Sequence, residues 1–417
     1  MIRTIFHNIL QAACRKTYGC QGAVRVFRHS LSLCFVLLFA CTMLFSCYRE
    51  PELYLPYRQP ASLEFPLIDL DLLAYWDYEL EYGIIYDWQS EWYYQWDEED
   101  SRTLAGGGPI GYSEPKGYQL RRYYLGYNPN AKHTTVLADA VKGRTFHGEY
   151  NWGFWDILVW SDVITYGEEA QSLIFDETSS LDEVKAFTNP SMHSARYQAP
   201  AYTRAFYQPE QLFSAYDRGE EINENLEGFE YDSIRNVYIK QMGMKLEPIT
   251  YIYLTQVILH NNKNKIIGVD GTADLSGMAR STNVNTGLAD STPITVTYNV
   301  RLKNNCILEK TNENVDIAGG RVMTFGICNQ NGNRIDNVSQ VKDKVRHYMD
   351  LKMQFNNGID STFVFDVTDQ VRKRWKGGVI TVELNMDTVP IPRTKGGSAF
   401  DAIVKDYEDG GTHEFGL

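Results

Sequence analysis

The sequence predicts an all-β protein with two β-sandwich domains, and three observations lead to this prediction. Apolar and β-branched stretches of roughly 6–10 residues alternate with turns rich in Gly, Asn and Asp, whereas helical periodicity is almost absent. Aromatic residues make up 13% of the chain, with 28 Tyr in excess, and tyrosine favours strands. At roughly 150 residues per domain, the 417 residues suit two or three domains.

The first 46 residues have the composition of a signal peptide. They contain five basic residues and no acidic residue, and an apolar run of about 15 residues occupies positions 31–45. That run is too short to span a bilayer comfortably but suits a signal-peptide core. It ends in Leu44-Phe45-Ser46-Cys47, which matches the lipobox pattern. In that pattern a lipid such as palmitate is attached to the Cys47 sulfur, and the small Ser46 allows cleavage between Ser46 and Cys47.

The net charge of the chain limits the ways in which it can attach to a membrane. The formal net charge is −13, and removal of residues 1–46 takes away five basic residues, so the processed chain carries −18. Such a surface repels nucleic acid and anionic lipid headgroups. Membrane attachment must therefore come from the lipid on Cys47 and not from a basic patch.

Residues 47–60 contain three prolines and no clean period, which is typical of a tether. Residues 61–175 are predicted to form the N-terminal sandwich, and the bulky run WGFWDILVW at 152–160 is its clearest strand. Further candidate strands in this half lie at 63–94, 118–127 and 173–175. Residues 97–116 are predicted to be a loop.

Residues 176–235 are polar and are predicted to connect the domains, with one short helix at 209–216. Residues 236–417 are predicted to form the C-terminal sandwich. Its run at 249–259 is almost continuously apolar, which favours a strand buried on both faces, with a helix as the alternative that periodicity leaves open. Other candidate strands lie at 237–246, 294–302, 321–328, 351–355, 363–367 and 379–384. A single turn of helix is expected between the last two.

Several stretches, in this order along the chain, resemble a known family. They follow the lipobox and read TYIYLTQVILHNN (250–262), LSGMARSTNVNTG (275–287), FVFDVTDQV (363–371) and KGGVITVEL (376–384). The chain resembles the fimbrillin-like lipoproteins of Bacteroidales, a domain-of-unknown-function family that is similar to anchor and accessory subunits of type V fimbriae. The resemblance implies two transthyretin-like β-sandwiches in tandem, display at the outer membrane and contact with other fimbrial subunits.

Aromatic residues are concentrated before residue 97. Ten of them fall between Tyr75 and Trp96. Three interpretations are open: core packing, a subunit interface, or a platform that stacks on sugar rings. The candidate contact residues are Trp88, Trp92, Tyr93 and Trp96. Strand alternation would send one of Trp92 and Tyr93 inward and the other outward.

No motif in the sequence predicts enzymatic chemistry. Gly106-x-Gly108-x-x-Gly111 matches the dinucleotide fingerprint literally, but no helix is predicted to follow it. The acidic group at 97–100 is interpreted as a solvated turn, with calcium binding as the alternative. Histidines at metal-ligand spacing are missing, so we expect no enzyme, no cofactor and no metal.

Cys306 and Cys328 are the two cysteines that remain beyond Cys47. Their midpoint, Ile317, lies in a turn-like stretch at 316–320. A hairpin that turns there would place the two thiols opposite each other, so a disulfide and two buried free thiols are both open.

Two functions from different classes follow. The first is a lipid-anchored structural subunit of a fimbria. The second is a carbohydrate-binding surface lipoprotein of a polysaccharide-uptake system.

Overall fold

The computed structural model describes part of the chain. The described residues are 63–64, 88–133, 135–143, 146, 148, 150–166, 171–180, 183–195, 204–223, 229–234, 237–240, 242–329, 338–341, 344–392 and 402–404. The predicted signal peptide, Ser46, Cys47 and the tether at 47–60 lie outside them. Residues 62–417 belong to one compact unit. Within the described part, no helix is both long and apolar enough to cross a membrane.

The described chain consists mostly of strands, which confirms the all-β prediction. The strands are β1 (Leu63–Glu64), β2 (Gly117–Gly126), β3 (Thr135–Lys142), β4 (Gly153–Ser161), β5 (Leu173–Ser180), β6 (Glu183–Thr188), β7 (Pro190–Ser194), β8 (Arg204–Tyr207), β9 (Phe213–Ile222), β10 (Phe229–Asp232), β11 (Val237–Lys240), β12 (Glu247–Pro248), β13 (Tyr251–His260), β14 (Ile266–Ala279), β15 (Ser281–Asn283), β16 (Pro293–Leu308), β17 (Glu313–Thr324), β18 (Tyr348–Phe355), β19 (Asp360–Asp366), β20 (Gly378–Asn385) and β21 (Ala402–Val404). Helix α1 covers Glu98–Leu104 and α2 covers Thr368–Lys373. Val338–Gln340 forms a single 3-10 turn.

A five-stranded antiparallel sheet is built mainly from the first half of the described chain. Its order is β12-β9-β4-β2-β3, with β4 at the centre. Trp155 and Ile157 of β4 pack with Tyr118 and Leu120 of β2 in one hydrophobic cluster. The predicted strand at 152–160 is confirmed.

The predicted helix at 209–216 is wrong. Residues 208–212 are irregular, and β9 begins at Phe213 and pairs with β4. Phe213 is fully buried under the five-stranded sheet. The proline signal at position 209 is local, and pairing with a neighbouring strand overrides it. The predicted connection at 176–235 contains β6 to β10, and β8 pairs with β16 of the second half.

The second large sheet has ten strands and folds over its own core. Its main order is β20-β13-β17-β16-β14-β18-β19-β21. Side chains from opposite ends of this order, such as Val257, Phe363 and Ile380, meet in one cluster, to which α2 adds Val371. We call the side that faces this cluster the inner face and the opposite side the outer face.

Strand β13 is buried along almost its whole length, as its apolar run predicts. It pairs antiparallel with β17 and parallel with β20. Tyr253 and Val257 point to the inner cluster, whereas Ile252, Leu254 and Ile258 belong to a second cluster on the outer face. Residues 88–112 supply the other side of that outer cluster, and we call them the covering segment. The run is apolar throughout because both of its faces are covered.

The predicted turn at 316–320 is also wrong. The β16–β17 hairpin turns at 309–312, where Asn312 has a φ of 53°, and β17 continues through 316–320. Gly319 is a strand residue whose added Cβ would lie 2.4 Å from the Tyr94 ring. The glycine therefore permits close packing of the covering segment and does not mark a turn.

The two cysteines are separated because the hairpin turns elsewhere. Cys306 pairs with Val315 in the strand register and lies in the outer cluster. Cys328 lies in a third cluster, which also contains Trp160. Both side chains are buried thiols, and the disulfide alternative is not realised in this structure. Burial raises the pKa of the Cys306 thiol to about 11, which keeps it protonated at neutral pH.

Candidate functional site

The acidic group at 97–100 is the start of helix α1 and not a solvated turn. The Asp97 side chain accepts a hydrogen bond of 2.8 Å from the Asp100 backbone, and the Asp100 side chain accepts one of 2.9 Å from the Asp97 backbone. This is a capping box, in which both carboxylates satisfy helix N–H groups. Among the described residues, no group of three or more His, Cys, Asp or Glu is placed to hold a metal ion.

Asp100 is fully buried and is held by two cations of strand β16. Arg301 Nη1 lies 3.0 Å from its Oδ1, and Lys303 Nζ pairs with its Oδ2. Tyr94 donates a hydrogen bond of 3.0 Å to Oδ1. A buried carboxylate is tolerated when it has both ionic and hydrogen-bond partners, and this one has both. We call Asp100 with these three side chains the Asp100 cluster.

The titration of the groups around Asp100 reflects this arrangement. The hydrogen bond from Lys303, supported by the Asp100 backbone, lowers the pKa of Asp97 to about 2. Burial, with the negative charge of Asp100 beside it, raises the pKa of Tyr94 far above its ordinary value. The phenol therefore stays a hydrogen-bond donor at any physiological pH.

The described part of the aromatic stretch, residues 88–96, is irregular, so the strand predicted for it is wrong, and residues 75–87 lie outside the described residues. The inward and outward directions predicted for Trp92 and Tyr93 hold, since Trp92 is buried and Tyr93 is half-buried. Trp92 and Tyr94 are buried in the outer cluster with ring centroids 5.4 Å apart. Trp88, Tyr93 and Trp96 are half-buried against the same cluster. Core packing describes Trp92 and Tyr94. A subunit or glycan contact through the half-buried three stays a prediction.

Hydrogen bonds fix the covering segment near both of its ends. Gln256 of β13 accepts from the Tyr93 backbone at 2.9 Å and donates to the Glu91 carbonyl at 2.7 Å. At the other end, Tyr112 donates to the Thr250 carbonyl at 2.8 Å. The segment therefore follows the sheet along a defined path.

The three glycines of the dinucleotide-like motif follow a helix, whereas the fingerprint requires them to precede one. Gly107 donates its backbone N–H to the Ser101 carbonyl at 2.8 Å, and Gly108 donates to Ala105 at 2.8 Å. These bonds satisfy carbonyls at the end of α1, and the φ of Gly106 is 58°. The glycines therefore terminate helix α1, and they do not have the arrangement of a nucleotide-binding loop.

Sequence reasoning missed the partners of this cluster. The Asp97–Asp100 spacing is a readable capping signal for α1. Alternation in β16 also places Arg301 and Lys303 on one face. Their carboxylate partner lies 201 positions earlier in the chain, and nothing local in the sequence joins the two.

Comparisons with known proteins give structural likenesses alone. No family model matches the sequence, and no curated protein does. A candidate adhesin of Bacteroides ovatus matches with a TM-score of 0.40 and 13% identity over 67% of this chain and 88% of that one. A candidate polysaccharide-binding protein of Bacteroides thetaiotaomicron matches with a TM-score of 0.34 and 10% sequence identity. The match covers 66% of this chain and 84% of that one. The fimbrial anchor protein of Porphyromonas gingivalis matches with a TM-score of 0.32 and 11% sequence identity. The match covers 66% of this chain and 84% of that one.

The solved structures that resemble this chain thus include adhesins and fimbrial proteins of Bacteroidales, the class that the sequence resembles. Sequence identity is low in every case, and the TM-scores above lie below 0.5. The function of this chain has to be argued from its own residues.

Proposed function

We propose that this protein is a non-enzymatic, lipid-anchored structural subunit of a surface fimbria, either its anchor or an accessory subunit. Residues 1–46 are the lipoprotein signal, and the lipid on Cys47 holds the chain at the outer membrane. Two transthyretin-like sandwiches follow, one centred on the five-stranded sheet and one on the ten-stranded sheet.

The observation that carries the proposal is the attachment of the covering segment. This segment is fixed to the ten-stranded sheet by the buried rings of Trp92 and Tyr94, by the Asp100 ion pairs and by hydrogen bonds to Gln256. Tension between a membrane lipid and a fibre would pass along the chain through β1, which pairs with β11, and then into this segment. A chain that is fixed at several points after its lipid anchor suits a load-bearing subunit.

The lipid anchor can be tested by replacing its thiol. We expect Cys47→Ser to accumulate as uncleaved precursor or to leave the detergent phase, because the pattern offers one acylation site. Cys41→Ser is the matched control, since Cys41 lies in the same signal but outside the lipobox. Metabolic labelling with palmitate and detergent-phase partitioning measure both variants. Normal cleavage and detergent partitioning of Cys47→Ser would reject the anchor.

The fimbrial role is tested separately, by deletion of the gene. We expect fibres to be shed into the medium or to be shortened, and crosslinking on intact cells to join the protein to other fimbrial subunits. Unchanged fibres with impaired growth on a polysaccharide would favour the carbohydrate-binding alternative. That alternative has one specific observation in its favour, a cleft beside the covering segment that is lined by an arginine and several amide side chains.

A further inference from the structure

A cleft of about 550 Å³ opens beside the end of the covering segment. Its wall combines residues that follow β4, the stretch around β8, and strands β14, β16 and β17. The lining is dominated by amide, hydroxyl and phenol side chains. The lining includes Asn189, Tyr207, Gln208, Glu210, Asn299 and Arg321. The volume lies in the range of about 300–1,000 Å³ that small-molecule sites occupy.

Arg321 is the one basic residue among the described side chains that line this cleft, and it is only 9% exposed. Its Nε donates a hydrogen bond of 2.7 Å to the Ile110 carbonyl. No carboxylate of the described chain forms an ion pair with the guanidinium, and its Nη1 and Nη2 atoms have no acceptor there. Buried charges are normally paired, so this one is an exception that calls for an explanation.

The electrostatics of Arg321 agree with the missing partner. Burial lowers the pKa of Arg321 to about 10. The side chain is therefore still charged at neutral pH, and it keeps a planar fork of donors.

The acidic residue of the described lining does not compensate this charge. Glu210 accepts hydrogen bonds of 2.6 Å from the Ser172 backbone, 3.0 Å from the Ser172 hydroxyl and 2.9 Å from the Leu173 backbone. Both of its oxygens are engaged by that loop. Its role is to hold the cleft wall, and the Arg321 fork remains available to an external anion.

We propose that this cleft binds an acidic sugar, with the sugar carboxylate on Arg321. A guanidinium forms two parallel hydrogen bonds with a carboxylate, which gives both strength and orientation. Tyr207 is 42% exposed at the cleft and offers a ring face for stacking. Gln208 Oε1 accepts from the Met323 backbone and Asn299 Nδ2 donates to the Thr103 carbonyl. The other amide atoms of these two side chains, with the Asn189 amide, supply donors and acceptors for hydroxyl groups. An acidic sugar is favoured over a peptide carboxylate because an exposed tyrosine ring and several amide side chains line the same cleft as the guanidinium. The inference does not depend on the fimbrial role.

The test uses the full acylated protein in detergent and isothermal titration calorimetry. The probes are oligogalacturonate and sialyllactose, which separate uronic from sialic acids, together with carboxyl-reduced oligogalacturonate and lactose as neutral counterparts. We expect binding of at least one acidic probe and at least tenfold weaker binding of its neutral counterpart. A third probe, a short peptide with a free C-terminus, covers the competing ligand class.

Two variants and one control locate the site. We expect Arg321→Gln to weaken binding at least tenfold and Tyr207→Ala to weaken it by a comparable factor. Tyr207 is exposed, so its variant should fold even if Arg321→Gln does not. Arg218→Gln is the matched control, because the Arg218 side chain is 71% exposed and does not line the cleft. No binding, equal binding of neutral sugars, undiminished binding by Tyr207→Ala or preferential binding of the peptide would each overturn the proposal.

Discussion

The outer face of the ten-stranded sheet holds its cations in two different surroundings. In the Asp100 cluster, Arg301 and Lys303 meet a carboxylate and the site is closed by the covering segment. A short distance along the same face, Arg321 is buried with no carboxylate partner in the described chain. The Asp100 cluster attaches the covering segment to the sheet, whereas the Arg321 cleft has the properties of a ligand-binding site.

A third charged group on this face, His260, is intermediate between these two in how far its charge is compensated. His260 at the end of β13 lies 3.0 Å from Glu313 and 3.4 Å from Glu383. It is partly exposed, and its charge depends on pH. The three places form a series from a fully compensated buried charge, through a titratable one, to an uncompensated one, and each can be perturbed separately.

Asp100→Asn should have the largest effect on stability. It removes the carboxylate and leaves Arg301 and Lys303 facing a neutral amide. Loss of one partner of a buried pair typically costs 3–5 kcal/mol, and Asp97 still neutralises Lys303, so we expect about 3 kcal/mol. Urea denaturation measures the change. Glu99→Gln in the same helical turn is the control, because Glu99 pairs only with the exposed Arg102. Equal losses in both variants would show that the cluster is no more than a surface ion pair.

The aromatic part of the same attachment is tested by Trp92→Ala and Tyr93→Ala. Trp92 is buried in the outer cluster and Tyr93 lies at its edge. We expect a loss of about 3 kcal/mol for Trp92→Ala and about 1 kcal/mol or less for Tyr93→Ala. Thermal melts of both variants check this. Two negligible losses would remove core packing as the role of the stretch and favour a binding surface.

His260 should make stability depend on alkaline pH. Its hydrogen bonds to Glu383 and Glu313 raise its pKa to about 9, above the ordinary value near 6.5. A raised pKa in the folded state means that this stabilisation is complete below about pH 6.5 and is lost as pH rises through 9. Because the pair is partly exposed to solvent, we expect about 1 kcal/mol. Unfolding free energies at pH 6.5 and 9.5 measure it. His260→Gln should abolish this difference, and an unchanged difference would assign it to other groups.

Arg321→Met should have the smallest effect when no ligand is present. Removing an uncompensated buried charge is close to neutral or stabilising, so we expect a change within about 1 kcal/mol. Arg301→Met, which leaves Asp100 short of a partner, should be clearly destabilising. Urea denaturation in sugar-free buffer compares the two. If Arg321→Met lowered the free energy of unfolding by more than about 3 kcal/mol, Arg321 would have a carboxylate partner. The Arg321 cleft would then be a compensated ion pair like the Asp100 cluster.

The strands that the sequence predicted best are those whose burial is regular. The run at 152–160 became β4 and the run at 249–259 became β13, because hydrophobic periodicity reports directly on strand burial. The long covered strand even revealed that both of its faces are buried. It could not reveal what covers the outer face, since the covering segment has no periodicity of its own.

The errors share one physical origin. Gly319 and Gly320 suggested a turn, but the first admits the Tyr94 ring and the second a close approach to the Asn299 carbonyl. Pro209 suggested a helix over 209–216, but residues 208–212 are irregular and the chain pairs into a sheet from Phe213 onwards. In each case a local signal was overridden by a contact with a residue far away in the sequence. The Arg321 cleft is assembled the same way, from stretches that no single window contains.

The covering segment also has a consequence for the order of folding. Its contacts join Asp100 to Arg301 across 201 positions and Gln256 to Glu91 across 165. A chain synthesised from its N-terminus presents the aromatic residues of this segment long before their partner strands exist. Closing such long loops is slow, so docking of the segment must be a late event. Until then Trp92 and Tyr94 are exposed, and a newly made chain needs protection from aggregation until β13, β16 and β17 are in place.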